Sequence, residues 1–200
     1  MNVSERSSTI SYAIRDVVEY ARKLESKGDK ILKLNIGDPL KFDFKTPEPM
    51  VDAIVNAARG SFNGYEDSLG NAELRRVIAE RESRNNGKIY LEDVVVTSGV
   101  TEGVYLVFGA TLEPGDEVLV PGPGYPTYTA YANFFGATPV PYRTIEKDGW
   151  NIDVQDLKSK ITERTKCIVI INPNNPTGAI YPKKTLKDIL DIALEHDVFI

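Results

Sequence analysis

Two short segments of the sequence combine residue types that can hold a phosphorylated ligand. The first, residues 97–102, reads Thr-Ser-Gly-Val-Thr-Glu and comes where an extended run is predicted to give way to an apolar helix. A glycine at this point lets the backbone approach a ligand closely, and the unpaired N–H groups of a helix start favour a phosphate. Ordinary capping of the helix by Ser98 is the alternative and needs no ligand. Taken alone, this segment leaves both interpretations open.

The second segment, residues 172–178, reads Asn-Pro-Asn-Asn-Pro-Thr-Gly and follows an apolar run. Two prolines and a glycine stiffen it, so its asparagine amides would be held in fixed directions at the end of a strand. An elaborate turn is the structural alternative, but loops at such positions tend to carry function. Neither segment has the glycine pattern of a Walker loop or a dinucleotide-binding loop. The second segment therefore favours a binding loop of another kind.

Strands that alternate with helices must position these two segments. The alternation predicts an α/β fold with a mostly parallel sheet and helices on both faces. In such sheets ligands bind beyond the carboxyl ends of the strands, where both segments would lie. Extended runs are predicted at residues 31–36, 94–97, 117–120, 140–143, 167–171 and from 198, and helices at residues 11–27, 47–58, 71–85, 100–112, 127–135, 153–160 and 182–195.

The composition, with 42% hydrophobic and 26% charged residues, is typical of a soluble globular protein. The net charge of −5 argues against nucleic acid and against anionic membranes as partners. No apolar run approaches the roughly 20 residues that span a bilayer. The single cysteine, Cys167, lies in an apolar run and is predicted to be a buried free thiol. We expect a cytoplasmic protein without a metal, nucleic-acid or membrane partner.

The last residues, 197–200, resemble the beginning of a strand. An exposed apolar edge strand invites aggregation, so we expect the polypeptide to continue beyond Ile200. A short edge strand that closes a complete domain is the alternative.

Five motifs, in order along the chain, resemble those of the class I/II aminotransferases, fold type I enzymes that use pyridoxal 5'-phosphate (PLP). Residues 172–178 are similar to the family's Asn-Pro-x-Asn-Pro-Thr-Gly motif. Almost the whole chain is similar to the N-terminal half of such enzymes, and most of all to archaeal-type alanine aminotransferases. The remaining motifs are residues 36–39, Tyr65 with Gly70, residues 97–102 and residues 121–126.

The resemblance implies how PLP would be held. Gly99, Val100 and Thr101 would bind the phosphate through backbone N–H groups and the Thr101 hydroxyl. Tyr125 would stack on the pyridine ring, and Asn175 would donate a hydrogen bond to the phenolic oxygen. A cis peptide bond is also expected between Asn175 and the proline that follows it, where the cis form costs only about 0.5–1 kcal/mol.

The resemblance also implies a substrate site and a partner chain. Gly37 and Asn175 would lie against the substrate. Tyr65 would reach the phosphate of a neighbouring subunit, which implies a homodimer with shared active sites. Residues 1–45 would form an N-terminal arm with part of a small domain, and residues 46–200 an incomplete PLP-binding large domain.

No catalytic residue is assigned within these 200 residues. In the family the Schiff-base lysine comes further downstream, so it is expected beyond Ile200, whereas Lys183 and Lys184 are predicted to be surface charges. The implied activity moves an amino group between an L-amino acid and a 2-oxo acid such as 2-oxoglutarate. Alanine is the first expectation for the amino donor, followed by aspartate or aromatic amino acids. A PLP-dependent lyase or synthase, or a catalytically inactive fragment, remains the alternative.

Overall fold

A computed structural model of the chain describes residues 2, 4, 6–9, 13–34 and 37–200. They form two compact units, one made of Met1–Ile31 with Thr101–Ile200 and the other of Leu32–Val100. All strands found among the described residues belong to the first, which we call the sheet unit. We call the second the helical unit.

The helices lie close to their predicted limits. The first two residues of the helix predicted from residue 11, and the last two of the extended run predicted to end at Ile36, lie outside the described residues. None of the described helices is both long and apolar enough to cross a bilayer. The helices are α1 (Arg6–Thr9), α2 (Ala13–Glu25), α3 (Glu48–Arg59), α4 (Ala72–Asn86), α5 (Gly99–Thr111), α6 (Pro126–Phe134), α7 (Val154–Ser159) and α8 (Lys183–His196), with short 3-10 turns at Pro39–Phe42, Leu91–Asp93 and Glu146–Asp148.

The sheet is mostly parallel, as the alternation of strands and helices predicts. Its strands are β1 (Glu117–Gly122), β2 (Thr138–Ile145), β3 (Asn151–Ile152) and β4 (Thr165–Ile168), in the order β3-β2-β1-β4. Strand β1 pairs in parallel with both β2 and β4, and only β3 runs antiparallel. A single parallel bridge joins Phe199 to Cys167 and marks the extended segment predicted from residue 198. The loops after β1 and β4 therefore leave the sheet at the same, carboxyl end.

Helices cover both faces of the sheet, which confirms the predicted layering. Successive side chains of a strand point to opposite faces. In β1, Leu119 packs in a cluster with α7 and α8, whereas Val118 and Val120 pack in a cluster with α5 and α6. The first cluster also includes Tyr142, Leu157, Ile168 and Ile189, and the second includes Phe108, Leu112, Ala132 and Cys167.

The predicted buried thiol is confirmed. Cys167 is a free cysteine, buried in β4 on the face that α5 covers. Its sulfur lies 3.8 Å from the hydroxyl of Thr111, near the end of α5. Burial raises the pKa of the Cys167 thiol, so the protonated form is favoured.

The amino ends of β1 and β4 are joined by a cluster of paired polar groups, Glu117, Thr162 and Arg164, which we call the amino-end cluster. The buried Glu117 carboxylate accepts a hydrogen bond from the Thr162 hydroxyl at 2.6 Å and another from Arg164 Nε at 3.0 Å. The Glu117 N–H donates to the Arg164 carbonyl at 2.8 Å. The hydrogen bonds from Thr162 and Arg164 lower the pKa of Glu117. Its charge is tolerated in a buried position because it is fully paired.

The strand predicted at residues 94–97 is wrong for the described structure. Val94 has extended backbone, with φ −114° and ψ 124°. The N–H of Val96 donates to the Leu69 carbonyl in a loop, and none of the described strands pairs with this segment. A run of β-branched residues favours extended backbone, but pairing also needs a neighbouring strand.

Candidate functional site

The loop 172–178 is held together by its own asparagines. The Asn172 side-chain oxygen accepts a hydrogen bond from the Tyr181 N–H at 3.1 Å. The Asn174 side-chain oxygen accepts from both the N–H and the hydroxyl of Thr177, at 3.2 and 2.8 Å. Two of the three asparagines therefore fix the shape of the loop.

The segment that leaves this loop is anchored in the core of the sheet unit. Gly178 adopts the left-handed φ of 74°, which a glycine accepts without steric cost, and the chain turns back. The Asn174 N–H then donates to the Ala179 carbonyl at 2.8 Å. Ala179 and Tyr181 are buried in the same cluster as Leu119. The loop is thus joined firmly to the sheet below it.

Asn175 has a different environment from the other two asparagines. Its side chain is exposed, and it makes no hydrogen bond within the described part of the chain. The expected cis peptide bond between Asn175 and Pro176 is confirmed. Since Asn172 and Asn174 use their side-chain oxygens to close the loop, Asn175 is the asparagine whose whole side chain is left for a ligand.

The aromatic residue Tyr125 immediately precedes α6, in the loop that follows β1. Its backbone is extended, with φ −73° and ψ 125°, and Pro126 starts the helix. The half-buried Tyr125 ring meets the Tyr128 ring at 78°, with 6.5 Å between the ring centroids. It also lines a cavity of about 490 Å³ together with Pro126 and Thr129. The contact with Tyr128 fixes the tilt of the Tyr125 ring without a parallel stack.

The start of α5 has the shape expected of a phosphate-binding turn. Gly99 adopts φ 76°, and a Cβ placed there would meet no atom within 4 Å. The Gly99 N–H donates to the Thr97 carbonyl at 2.8 Å, and the Thr97 hydroxyl donates back to the Gly99 carbonyl at 2.9 Å. Val100 and Thr101 occupy the first turn, where N–H groups have no carbonyl partner inside the helix. Gly99 therefore makes the turn, and the two residues after it supply the helix-start donors.

In the helical unit, Tyr65 has a fully exposed side chain. The end of its loop is fixed, because the Leu69 carbonyl accepts the Val96 N–H at 2.9 Å. The buried Arg75 supports the residues just before Val96, since its Nε donates to the Val94 carbonyl at 2.8 Å. Hydrogen bonds thus hold the end of the loop in place, while the Tyr65 phenol is exposed to solvent.

Gly37, another predicted site residue of the helical unit, is also exposed. Asp38 follows it and caps the 3-10 turn Pro39–Phe42 by accepting the Leu40 N–H at 3.2 Å. Ile36, the first residue of this predicted motif, lies outside the described residues. A shallow apolar pocket is lined by Gly37, Pro39 and Phe44.

Sequence reasoning missed Tyr181. It is buried, its N–H closes the loop through Asn172, and it belongs to the same core cluster as Leu119 and Ile189. The pattern of Ala179 and Tyr181 in alternate positions directly after the loop could have indicated an anchor that points into the core.

Comparison with known proteins places this geometry in a family. The model of the family described as aminotransferase class I and II matches residues 29–200. The alanine aminotransferase of Mycobacterium tuberculosis is 41% identical, over 98% of this chain and 46% of that protein. The glutamate-pyruvate aminotransferase AlaA of Escherichia coli is also 41% identical, over 98% of this chain and 49% of that protein.

A solved structure supports the same assignment. The alanine aminotransferase from Pyrococcus furiosus superposes with a TM-score of 0.93 at 56% identity, covering 98% of this chain and 50% of that one. The chain spans about half the length of the curated relatives it matches. The family match covers all five motifs, from residues 36–39 to the loop 172–178. The chain therefore belongs to the class I and II aminotransferase family.

Proposed function

We propose that this chain carries most of the cofactor cradle of a PLP-dependent aminotransferase. The protein would move an amino group from an L-amino acid, alanine first, to a 2-oxo acid such as 2-oxoglutarate. The names of the relatives from Mycobacterium tuberculosis, Escherichia coli and Pyrococcus furiosus support this substrate class. The structural observation that carries the proposal is the exposed, unpaired amide of Asn175 on a loop whose other asparagines are already bonded.

The residues present fit PLP. When bound, PLP acts as an electron sink for the α-carbon of an amino acid. Val100 and Thr101 would bind its phosphate at the start of α5, where Gly99 leaves room for close approach and the helix dipole favours an anion. Tyr125, with its ring tilt fixed, would stack on the pyridine ring. Asn175 would donate its amide to the phenolic oxygen and so orient the ring.

Gly37 and Tyr65 carry the remaining proposed roles. Gly37 would lie against the substrate carboxylate together with Asn175, because a glycine backbone allows close approach. Tyr65 would reach the phosphate of a second copy of the chain, and its full exposure on a firmly based loop supports this. The working protein would then be a homodimer with shared sites, and the cytoplasm remains its predicted location.

The lysine that bonds covalently to PLP would come from the part of the protein that this chain does not represent. Lys183 and Lys184 are the first lysines after the 172–178 loop in the sequence, and both are exposed at the start of α8. The Lys184 ammonium is 2.8 Å from the Asp188 carboxylate one turn later. Both behave as the surface charges that the sequence predicts.

Product analysis on the complete protein with PLP tests the proposed activity. With L-alanine and 2-oxoglutarate we expect pyruvate and glutamate in equal amounts, and no more than one pyruvate per bound PLP when the acceptor is left out. The 200-residue chain alone is the negative control and should show no turnover. Release of ammonia without any need for a 2-oxo acid would contradict transamination and favour the lyase alternative.

A further inference from the structure

Two buried polar atoms beneath the 172–178 loop have no hydrogen-bond partner. Within the described residues, they are the side-chain Nδ2 of Asn174 and the hydroxyl of Tyr181. Asn174 is 5% exposed and Tyr181 is 4% exposed, so neither group is satisfied by bulk solvent. Folded proteins leave few buried polar groups unpaired, so two at one place call for a physical reason.

The two groups belong to segments that are hydrogen-bonded to each other. The Asn174 N–H donates to the Ala179 carbonyl at 2.8 Å, and the Tyr181 N–H donates to the Asn172 side chain at 3.1 Å. Burial raises the pKa of Tyr181, and the Asn174 amide acts in the opposite direction, as a donor near the phenol oxygen does. Yet neither atom has a partner in hydrogen-bonding geometry. A small movement of the amide toward the phenol would satisfy both.

Only one of the two groups can make that movement. Tyr181 is held in the core cluster with Leu119 and Ile189, so its ring cannot follow the loop. Asn174 belongs to the loop, and its side-chain oxygen is already bonded to Thr177. Because residues 179–181 stay anchored in the core, a small adjustment at Asn174 would shift its amide and the adjacent Asn175 together.

We propose that Asn174 and Tyr181 are positioning residues for the cofactor, whose side chains come into hydrogen-bonding alignment when Asn175 binds its phenolic oxygen. This rests on the proposed function, because Asn175 is the residue that would touch PLP. The new hydrogen bond forms only in the bound state. It therefore strengthens binding and fixes the direction of the Asn175 amide, and it adds nothing to the stability of the chain without ligand.

Tyr181→Phe in the complete protein tests this, because it removes only the phenol oxygen and keeps the ring in the core. We expect PLP to bind about fivefold more weakly, which corresponds to about 1 kcal/mol. The pH at which the visible band of the bound cofactor changes should also rise, since a misdirected Asn175 amide stabilises the ionised phenolic oxygen less well. Without PLP, the unfolding temperature should be no lower than that of the wild type, because the hydroxyl has no partner to lose and its removal leaves one unpaired buried group fewer.

Tyr142→Phe is the matched control. Tyr142 is fully buried in the same cluster, but its hydroxyl donates to the Val169 carbonyl at 2.7 Å. Its removal should lower the unfolding temperature without PLP and leave both the PLP affinity and the pH of the band change at wild-type values. The two phenylalanine variants are thus expected to show opposite pairs of effects.

Three results would decide the matter. Wild-type affinity and an unmoved band in Tyr181→Phe, while the wild type binds PLP normally, would overturn the positioning role and leave the proposed function standing. Failure of the wild type to take up PLP would overturn both. A crystal structure of the wild-type protein with PLP provides a test that does not depend on whether a variant folds. There the Asn174 Nδ2 and Tyr181 oxygen should lie within about 3.2 Å, and a wider separation would refute the proposal.

Discussion

The amino and carboxyl ends of the sheet differ in how their polar groups are paired. In the amino-end cluster, each oxygen of the Glu117 carboxylate accepts a hydrogen bond from a neighbour in the cluster. At the carboxyl end, the Asn175 side chain is exposed without a hydrogen bond, and Asn174 and Tyr181 each keep a buried polar atom without a partner among the described residues. Both ends contain conspicuous polar residues, so polarity alone does not mark a binding site. The difference lies in whether the polar groups at each end are hydrogen-bonded to one another.

The direction of the strands explains why the two ends diverge. Because β1 and β4 are parallel, the loops that follow them emerge together and can share one ligand. The opposite end receives the chain from returning helices, and there Arg164 and Thr162 join the start of β4 to the start of β1. We therefore expect substitutions at the amino end to change stability, and substitutions at the carboxyl end to change ligand binding.

Glu117→Ala should have the largest effect. It removes a buried acceptor, leaves the bonds of Thr162 and Arg164 unmade, and opens a small cavity. The free energy of unfolding should fall by about 2 kcal/mol, as measured by urea denaturation. PLP affinity of the complete protein should not change. The exposed neighbour Glu163, replaced by alanine, serves as control and should alter stability by less than about 0.5 kcal/mol.

Asn175→Ala should show the reverse pattern. Loss of one hydrogen bond to an ionised oxygen is expected to weaken PLP binding about tenfold, equivalent to about 1.4 kcal/mol. The unfolding free energy without PLP should stay at the wild-type value, because the amide has no partner in the described chain. Asn85→Ala, at an exposed asparagine of α4, is the matched control. A variant that lost stability and kept its PLP affinity would reverse the assignment of the two ends.

The smallest expected effect is on the response to acid. Hydrogen bonds from Thr162 and Arg164 hold the folded-state pKa of Glu117 below the ordinary value of a glutamate, so its ionised form stabilises the fold above that ordinary value. This contribution is lost as the pH falls through the lowered pKa. The carboxyls of Asp153 and Glu195 also have lowered pKa values, so wild-type stability should decline in acid for several reasons at once.

The contribution of Glu117 can be isolated with Glu117→Gln, which keeps the shape but does not titrate. The free energy of unfolding of this variant should depend less on pH than that of the wild type between about pH 6 and pH 3. Equal slopes for the two proteins would show that the amino-end cluster does not depend on the charge of Glu117.

Much of the fold follows from local patterns in the sequence. Helix α7 is an example, since Asp153 accepts the Asp156 N–H as its N-terminal cap and the periodic apolar residues place it on the sheet. The parallel sheet follows from strands and helices in alternation, and the run 167–171 indicates a buried segment. The strand predicted at residues 94–97 failed because strand pairing depends on distant residues, which a local pattern does not contain.

The candidate site was predictable as a pair of loops. Which residues of each loop hold its shape and which are left for a ligand was not predictable. Asn172, Asn174 and Asn175 are chemically identical in the sequence. Only the return of the chain into the core separates them, since that return brings the Tyr181 N–H to Asn172 and buries Asn174. Similarly, the Gly99 N–H is taken by Thr97 because of a turn whose geometry the residue types do not specify.

The buried Cys167 is a natural probe of motions that open the sheet. It is the only cysteine of the 200 residues, and its sulfur is enclosed between β4 and α5. A thiol reagent can reach it only when that packing separates, so the labelling rate counts these separations without any engineered probe. The two elements that enclose the sulfur also lead to the proposed phosphate turn and to the 172–178 loop. The rate of chemical labelling would thus measure how much a ligand bound at one end of the sheet reduces opening motions around Cys167.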